Sequence, residues 1–150
     1  KKKLFLVGPD SLNNEIQELA SKIVLDNSVV FMGAQYQIAN ILNDCDFAVF
    51  PSFREGLPIA LLEKMAMKLP VIVSDIPELT SIIQDNINGL VFKCGDVDDL
   101  SKKIEILLED EVLRSILGNN AYKTVTENYG SRNIALTNEL FYEKVLSLNR

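Results

Sequence analysis

The sequence predicts an α/β fold, a parallel sheet with helices on both faces, and two observations carry that expectation. Short apolar runs alternate with stretches of helical periodicity along the whole chain, and the runs are apolar at nearly every position rather than at every second one. Strands joined by helices must cross over and return to the same edge, which makes them parallel, and strands without a polar face are buried on both sides. With 150 residues, 47% of them hydrophobic, the chain is large enough for one core, and no linker, repeat or low-complexity tract divides it. The expected organisation is a single domain over residues 1–150.

The elements follow in order. "KLFLVG" reads as a first strand ending at Gly8, and "PDSLNNEIQELASKIVL" as a helix in which Leu12, Ile16, Leu19 and Ile23 recur at helical spacing behind Ser11, a candidate cap. "VVFMG" is a second strand, "QIANILNDC" a short helix, "FAVFPS" a third strand and "PIALLEKMAMK" a helix opening near Pro58. "LPVIVS" gives a fourth strand, "PELTSIIQDN" a short helix, and "NGLVF" a fifth strand after an Asn-Gly turn. From "DVDDLSKKIEILLED" onward the pattern is helical to the end. The last segment, with Ile134, Leu136, Leu140, Phe141, Val145 and Leu148, reads as a long amphipathic helix packed on this domain. Ligands of such sheets gather beyond the carboxyl ends of the strands, so the loops beginning at Gly8, Gly33, Pro51, Asp75 and Lys93 are expected on the ligand rim.

Composition removes several classes of function. The net charge of -6 leaves no broad basic surface for a nucleic-acid backbone or an anionic membrane, and neither partner is expected. Three lysines lead straight into a short apolar run, too brief for a signal peptide or a membrane span, so the expected compartment is the cytoplasm. Cys45 and Cys94 lack metal or redox spacing and read as small half-buried thiols in a reducing compartment. Histidine is absent, which leaves carboxylates as the source of any acid-base chemistry in the chain. A dinucleotide-binding oxidoreductase is disfavoured, because "LFLVGPDSL" lacks a GxGxxG turn.

The candidate site lies in "FREGLPIALLEKMAMKLPVIVSD". With about 100° per residue and Ile59 set at zero, Lys64 and Lys68 fall at about 140° and 180° and mark a solvent face, while Glu63 falls near 40°, between Ile59 and Met67. An acid on an apolar face needs hydrogen-bond donors; adjacent hydroxyls of a polyol would supply them, and so would backbone N–H groups of a neighbouring loop. Glu55 precedes the helix, either on the ligand rim or as a solvated loop acid. Between the two acids, Pro58 suits a first helical turn whose N–H groups favour an anion, and Gly56 lets backbone approach a phosphate. Arg54 offers a guanidinium to such a phosphate or stands as a surface charge. Carboxylate, anion site and second carboxylate match the order of sugar, diphosphate and ribose in a nucleotide sugar.

"FAVFPSFREGLPIALLEKMAMKLPVIVSD", with "VVFMG" before it and "NGLVF" after it, resembles the C-terminal, donor-binding domain of a family 4 retaining glycosyltransferase of the GT-B fold. The resemblance covers nearly the whole chain, and the two glutamates eight positions apart inside PS-x-x-EG and LLE-x-MA are its specific part. It implies a Rossmann-like domain in which Glu55 acts near the reacting carbon by bonding donor-sugar hydroxyls, and Glu63 accepts from the ribose hydroxyls. Backbone N–H groups of Leu57 and Ile59 would meet the diphosphate, and the loop around Gly33 and Gln35 would frame the base. It implies a UDP- or GDP-sugar donor, no cofactor, no obligatory metal, and a glycan or lipid-linked acceptor.

Two departures from the family pattern matter. Pro58 stands where many members have glycine, and without an N–H it offers no bond to phosphate. "KKKLFLVG" corresponds to the second strand of the family's domain, so the expected reading is a fragment without the first strand, its phosphate-binding cations and the N-terminal acceptor domain. Such a fragment would be inactive alone; its final helix would pack across that acceptor domain, which would also bring the protein to the inner face of the membrane. The alternative is a non-catalytic nucleotide-binding or structural domain of the same architecture.

Overall fold

The computed structural model describes residues 2–23, 28–56 and 58–148. They form two compact units, Lys1–Ile41 and Leu42–Arg150.

In the first unit β1 (Leu4–Val7) pairs in parallel with β2 (Val29–Gly33), with a register shift after Leu6 that sets Val7 opposite Gly33. The helix between them, α1 (Glu15–Lys22), starts later than Ser11. Asp10 is the cause: its carboxylate accepts from the N–H of Leu12 at 3.0 Å and of Asn14 at 2.7 Å, and Asn13 and Asn14 take positive φ, so the chain turns before it can coil. Ser11 therefore caps nothing, and Leu12, Ile16, Leu19 and Ile23 are exposed. The continuation of that helical run into residues 24 and 25 lies outside the described residues. The short α2 (Ile38–Asn43) straddles the division between the units.

The second unit is built on β3 (Ala48–Phe50), β4 (Val71–Ser74) and β5 (Leu90–Phe92), all parallel, with β4 in the centre. Around them lie α3 (Ile59–Ala66), α4 (Pro77–Thr80), α5 (Val97–Glu109), α6 (Glu111–Asn128) and α7 (Ser131–Leu148). Every residue of β4 is buried, as the apolar run Val71, Ile72 and Val73 leads one to expect, and with them the polar Ser74. Val71 and Val73 join a cluster with Leu61 and Met65 of α3, Leu79 of α4 and Ala121 of α6. Ile72, pointing the other way, joins Leu90, Phe92, Leu107 of α5 and Leu117 of α6. Both faces of this sheet are thus covered; each fully buried branched side chain contributes about 1.5–3 kcal/mol.

The burial of α3 reverses the expected orientation. Leu61 and Met65, at about 200° and 240° on the same wheel, are fully buried, whereas Ile59 and Glu63 are exposed. Lys64 is half-buried rather than solvated, its ammonium 5.6 Å from the centre of the Phe50 ring. The larger apolar arc, Leu61, Leu62, Met65 and Leu69, decides the face, and Lys64 tolerates its edge because its stem lies along apolar surface. Glu63 is therefore not a misplaced core acid. Pro58 is buried and sits one residue before α3, as its N-cap.

Two glycines are required by close approach. A Cβ on Gly118 would lie 2.1 Å from the carbonyl oxygen of Lys68, so α6 rests directly on the backbone leaving α3. A Cβ on Gly89 would meet side chains of Ile83 and Val71 at 2.9 and 3.0 Å. The Asn-Gly pair before β5 is thus a packing device, and the left-handed residue of that turn is Asn86, with φ 61°. The buried Asn88 accepts from the Gln84 N–H and donates to the Ile82 carbonyl and the Thr124 hydroxyl, tying the turn to α6.

Both α5 and α6 begin at aspartates that accept an N–H three residues on, Asp96 from Asp99 and Asp110 from Leu113. The last helix departs from the reading that packs it on this domain. Leu140 and Phe141 are 65% and 61% exposed, and Ile134, Leu136 and Val145 are exposed as well, so these apolar residues are not buried against the other described residues. The side chain of Leu148 lies outside what is described.

Candidate functional site

Because β3, β4 and β5 are parallel, the loops that follow them open on one edge of the second unit, and side chains tie these loops together. Ser74, wholly buried at the end of β4, donates its hydroxyl to the carbonyl of Ser52 in the loop after β3. The thiol of Cys94, in the loop after β5, lies 3.7 Å from the same carbonyl. The Cys94 N–H donates to Asp75 Oδ1 at 2.7 Å, joining the β5 loop to the end of β4. From this pinned backbone the Ser52 hydroxyl donates to Glu55 Oε1 at 2.6 Å.

Glu55 is half-buried in this frame, and Oε1 carries its single hydrogen bond among the described residues. Gly56 and Arg54 are exposed, and Arg54 makes no ion pair among the described residues. Leu57 lies outside the described residues. Ile59 opens α3, and the first N–H groups of a helix have no acceptor within it. Glu63 follows one turn later on the same exposed face, its carboxylate open to solvent. Five expected site residues, Arg54, Glu55, Gly56, Ile59 and Glu63, thus lie in the β3–α3 segment of the second unit. The same rim carries a shallow depression of about 420 Å³ lined by Lys93, Cys94, Gly95, Asp96, Val97 and Asp98, which includes neither glutamate.

Gly33 and Gln35 belong to the first unit. Gly33 ends β2 with φ 62°, accepts from the Gly8 N–H at 2.9 Å, and borders a hollow of about 260 Å³ with Leu6, Leu12, Ile16 and Phe31. Gln35 folds its side-chain amide back onto the Met32 carbonyl at 2.6 Å.

The electrostatics beside α3 are local. Burial lowers the Lys64 ammonium below its ordinary value, against the opposing influence of Glu63 and Cys45. Burial raises the Cys45 thiol, helped by Asp44 and Asp46 and opposed by Lys64. Both cysteines are half-buried, as expected, and neither forms a disulfide.

Sequence reasoning missed Ser52, Ser74, Asp75 and Cys94 as a connected group. A signal was present: the third and fourth apolar runs, "FAVFPS" and "LPVIVS", both end in serine at the carboxyl end of a strand.

A family model described as glycosyl transferases group 1 matches residues 1–124. The chain belongs to this family. Among its relatives, the N,N'-diacetylbacillosaminyl-diphospho-undecaprenol alpha-1,3-N-acetylgalactosaminyltransferase of Campylobacter jejuni is 34% identical over 97% of this chain. The chain spans 38% of that relative's length. In three dimensions, a complex of S. aureus TarM with fondaparinux, alpha-GlcNAc-glycerol and UDP matches with a TM-score of 0.84 and 27% identity, over 89% of this chain and 27% of that one. The C-terminal domain of a Francisella tularensis glycosyl transferase group 1 protein matches with a TM-score of 0.72 and 27% identity, over 79% of this chain and 62% of that one. The fold of this group 1 chain is that of the C-terminal half of a GT-B glycosyltransferase. Among the described residues, no helix of this glycosyltransferase chain is long and apolar enough to cross a membrane.

Proposed function

We propose that this chain is the donor-binding domain of a retaining glycosyltransferase that transfers a sugar from a UDP- or GDP-sugar to a glycan or lipid-linked acceptor. The observation that carries the reading is the β3–α3 segment. It sets a half-buried carboxylate, Glu55, and an exposed one, Glu63, on either side of a helix start at the carboxyl edge of a parallel sheet. UDP in the TarM complex and the lipid-linked acceptor in the name of the C. jejuni relative support the substrate classes.

In this reading the Ile59 N–H, with the Leu57 N–H and Arg54, meets the diphosphate at the start of α3. Gly56 leaves room for the phosphate, and Pro58 contributes no donor. Glu63 accepts from the two ribose hydroxyls, for which two carboxylate oxygens are suited. Glu55 accepts from sugar hydroxyls and holds the anomeric carbon for attack. The bond from that carbon to the diphosphate breaks, a bond to the acceptor oxygen forms on the same face, and the acceptor proton passes to the departing diphosphate oxygen. No cofactor and no metal is assigned to this chemistry. The acceptor is held by an N-terminal domain of the full-length enzyme, which works in the cytoplasm in building cell-surface polysaccharide or glycoconjugate.

Calorimetric titration of the full-length protein with UDP, GDP and ADP, with and without magnesium, tests the reading. UDP or GDP should bind alike in both conditions. Losing a charge-assisted bond to the ribose in Glu63→Ala should weaken binding by about 1.5–3 kcal/mol, about 10- to 100-fold. Equal affinity in variant and parent removes Glu63 from the ribose role.

A further inference from the structure

We propose that Ser52 is a positioning residue for Glu55, held in place by the buried Ser74. The inference rests on the reading of Glu55 as the carboxylate that acts on the donor sugar. A glutamate on a loop has freely rotating torsions, and a carboxylate that must meet particular hydroxyls needs one orientation. The Ser52 hydroxyl supplies it by donating to Oε1 at 2.6 Å, which leaves Oε2 to accept from the substrate.

That bond is only as well placed as the backbone of Ser52, and the structure fixes this backbone from two other strands. The Ser52 carbonyl takes the hydroxyl of Ser74 from the end of β4 and the thiol of Cys94 from the β5 loop. Ser74 is a fully buried polar side chain in a strand otherwise made of Val71, Ile72 and Val73. A hydroxyl there loses its bonds to water and gains the Ser52 carbonyl, 22 positions away in sequence. The chain Ser74, Ser52, Glu55 thus runs from the end of the central strand to the carboxylate assigned to the donor sugar. In it Ser52 acts twice, its carbonyl as anchor and its hydroxyl as guide.

The experiment is a cycle in the full-length enzyme, with UDP-glucose, UDP-galactose and UDP-N-acetylglucosamine as donors and nucleotide release as the readout. Ser52→Ala should lower kcat about tenfold with KM for the donor and the affinity for UDP within about twofold, and Ser52→Thr, which keeps a hydroxyl, should recover most of the loss. In a Glu55→Gln background Ser52→Ala should have no further effect, because the residue it serves is already altered. Ser74→Ala should reproduce the kcat loss at unchanged UDP affinity. A Ser52→Ala effect that is absent, or that persists in the Glu55→Gln background, overturns the positioning role while leaving Glu55 in place. Full turnover in Glu55→Gln overturns the role of Glu55 itself.

Discussion

Lys64 shows how one side chain couples the ligand-side helix to its neighbours. Its ammonium stands over the Phe50 ring, next to Glu63 in sequence, and lowers the Cys45 thiol that burial, Asp44 and Asp46 together raise. The raising causes prevail, so the Cys45 thiolate forms at higher pH than an ordinary thiol does. The folded protein keeps a proton there that the unfolded chain gives up. Cys45 therefore adds stability that is whole below the unfolded pKa and is lost as pH rises through the raised folded value. Rates of iodoacetamide labelling in a Cys94→Ser background should follow a pH curve displaced upward from that of a cysteine peptide. Lys64→Met should displace the curve further upward, since it removes the cation that favours the thiolate. A downward displacement in that variant would refute the electrostatic assignment. None of this was legible in the sequence, where Cys45 and Lys64 are 19 positions apart in numbering and meet only through folding.

At the level of elements, the strands were legible and the faces were not. Nearly unbroken apolar runs marked the strands β1 to β5, and around β4 the reason holds in full, because a strand buried on both sides admits no polar alternation; β1 and β2 carry the same pattern with only partial burial. The face of α3 was misjudged because Ile59 was set at its centre, whereas packing against β4 and α6 draws in Leu61 and Met65. Glu63 thereby loses its status as an anomaly in the core and stands on the exposed face. The start of α1 was hidden by an Asx turn at Asp10, a local bond that periodicity does not register. The final helix, Ser131–Leu148, is where its periodicity predicts a helix, but a pattern does not say against what it packs. With Leu140 and Phe141 exposed, Leu140→Lys combined with Phe141→Lys should leave the urea midpoint of this 150-residue chain within the equivalent of about 0.5 kcal/mol. A loss of about 2 kcal/mol or more would show that the helix packs on this chain after all.

For the molecule as a whole, burial is unevenly shared between the two units, and that has a consequence for local stability. Among the described residues, the buried hydrophobic ones, from Leu42 to Ala121, all belong to the second unit. There β4 is screened on both faces and hydrogen-bonded on both edges, so exposing its amides requires separating it from β3, β5 and the helices above and below. In the first unit β1 and β2 pair, among the described residues, only with each other, and their residues range from half-buried to exposed. Opening that pair exposes little apolar surface, and the free energy of a local opening scales with the surface it exposes. Native-state hydrogen exchange on the 150-residue chain should therefore find the amides of Val71–Ser74 among the slowest, exchanging by global unfolding and sensitive to denaturant. The amides of Leu4–Val7 and Val29–Gly33 should exchange at least about tenfold faster, with little dependence on denaturant below the main transition. Equal protection and equal denaturant dependence in the two strand groups would mean that the chain opens as one cooperative body, and would refute a difference in local stability based on burial.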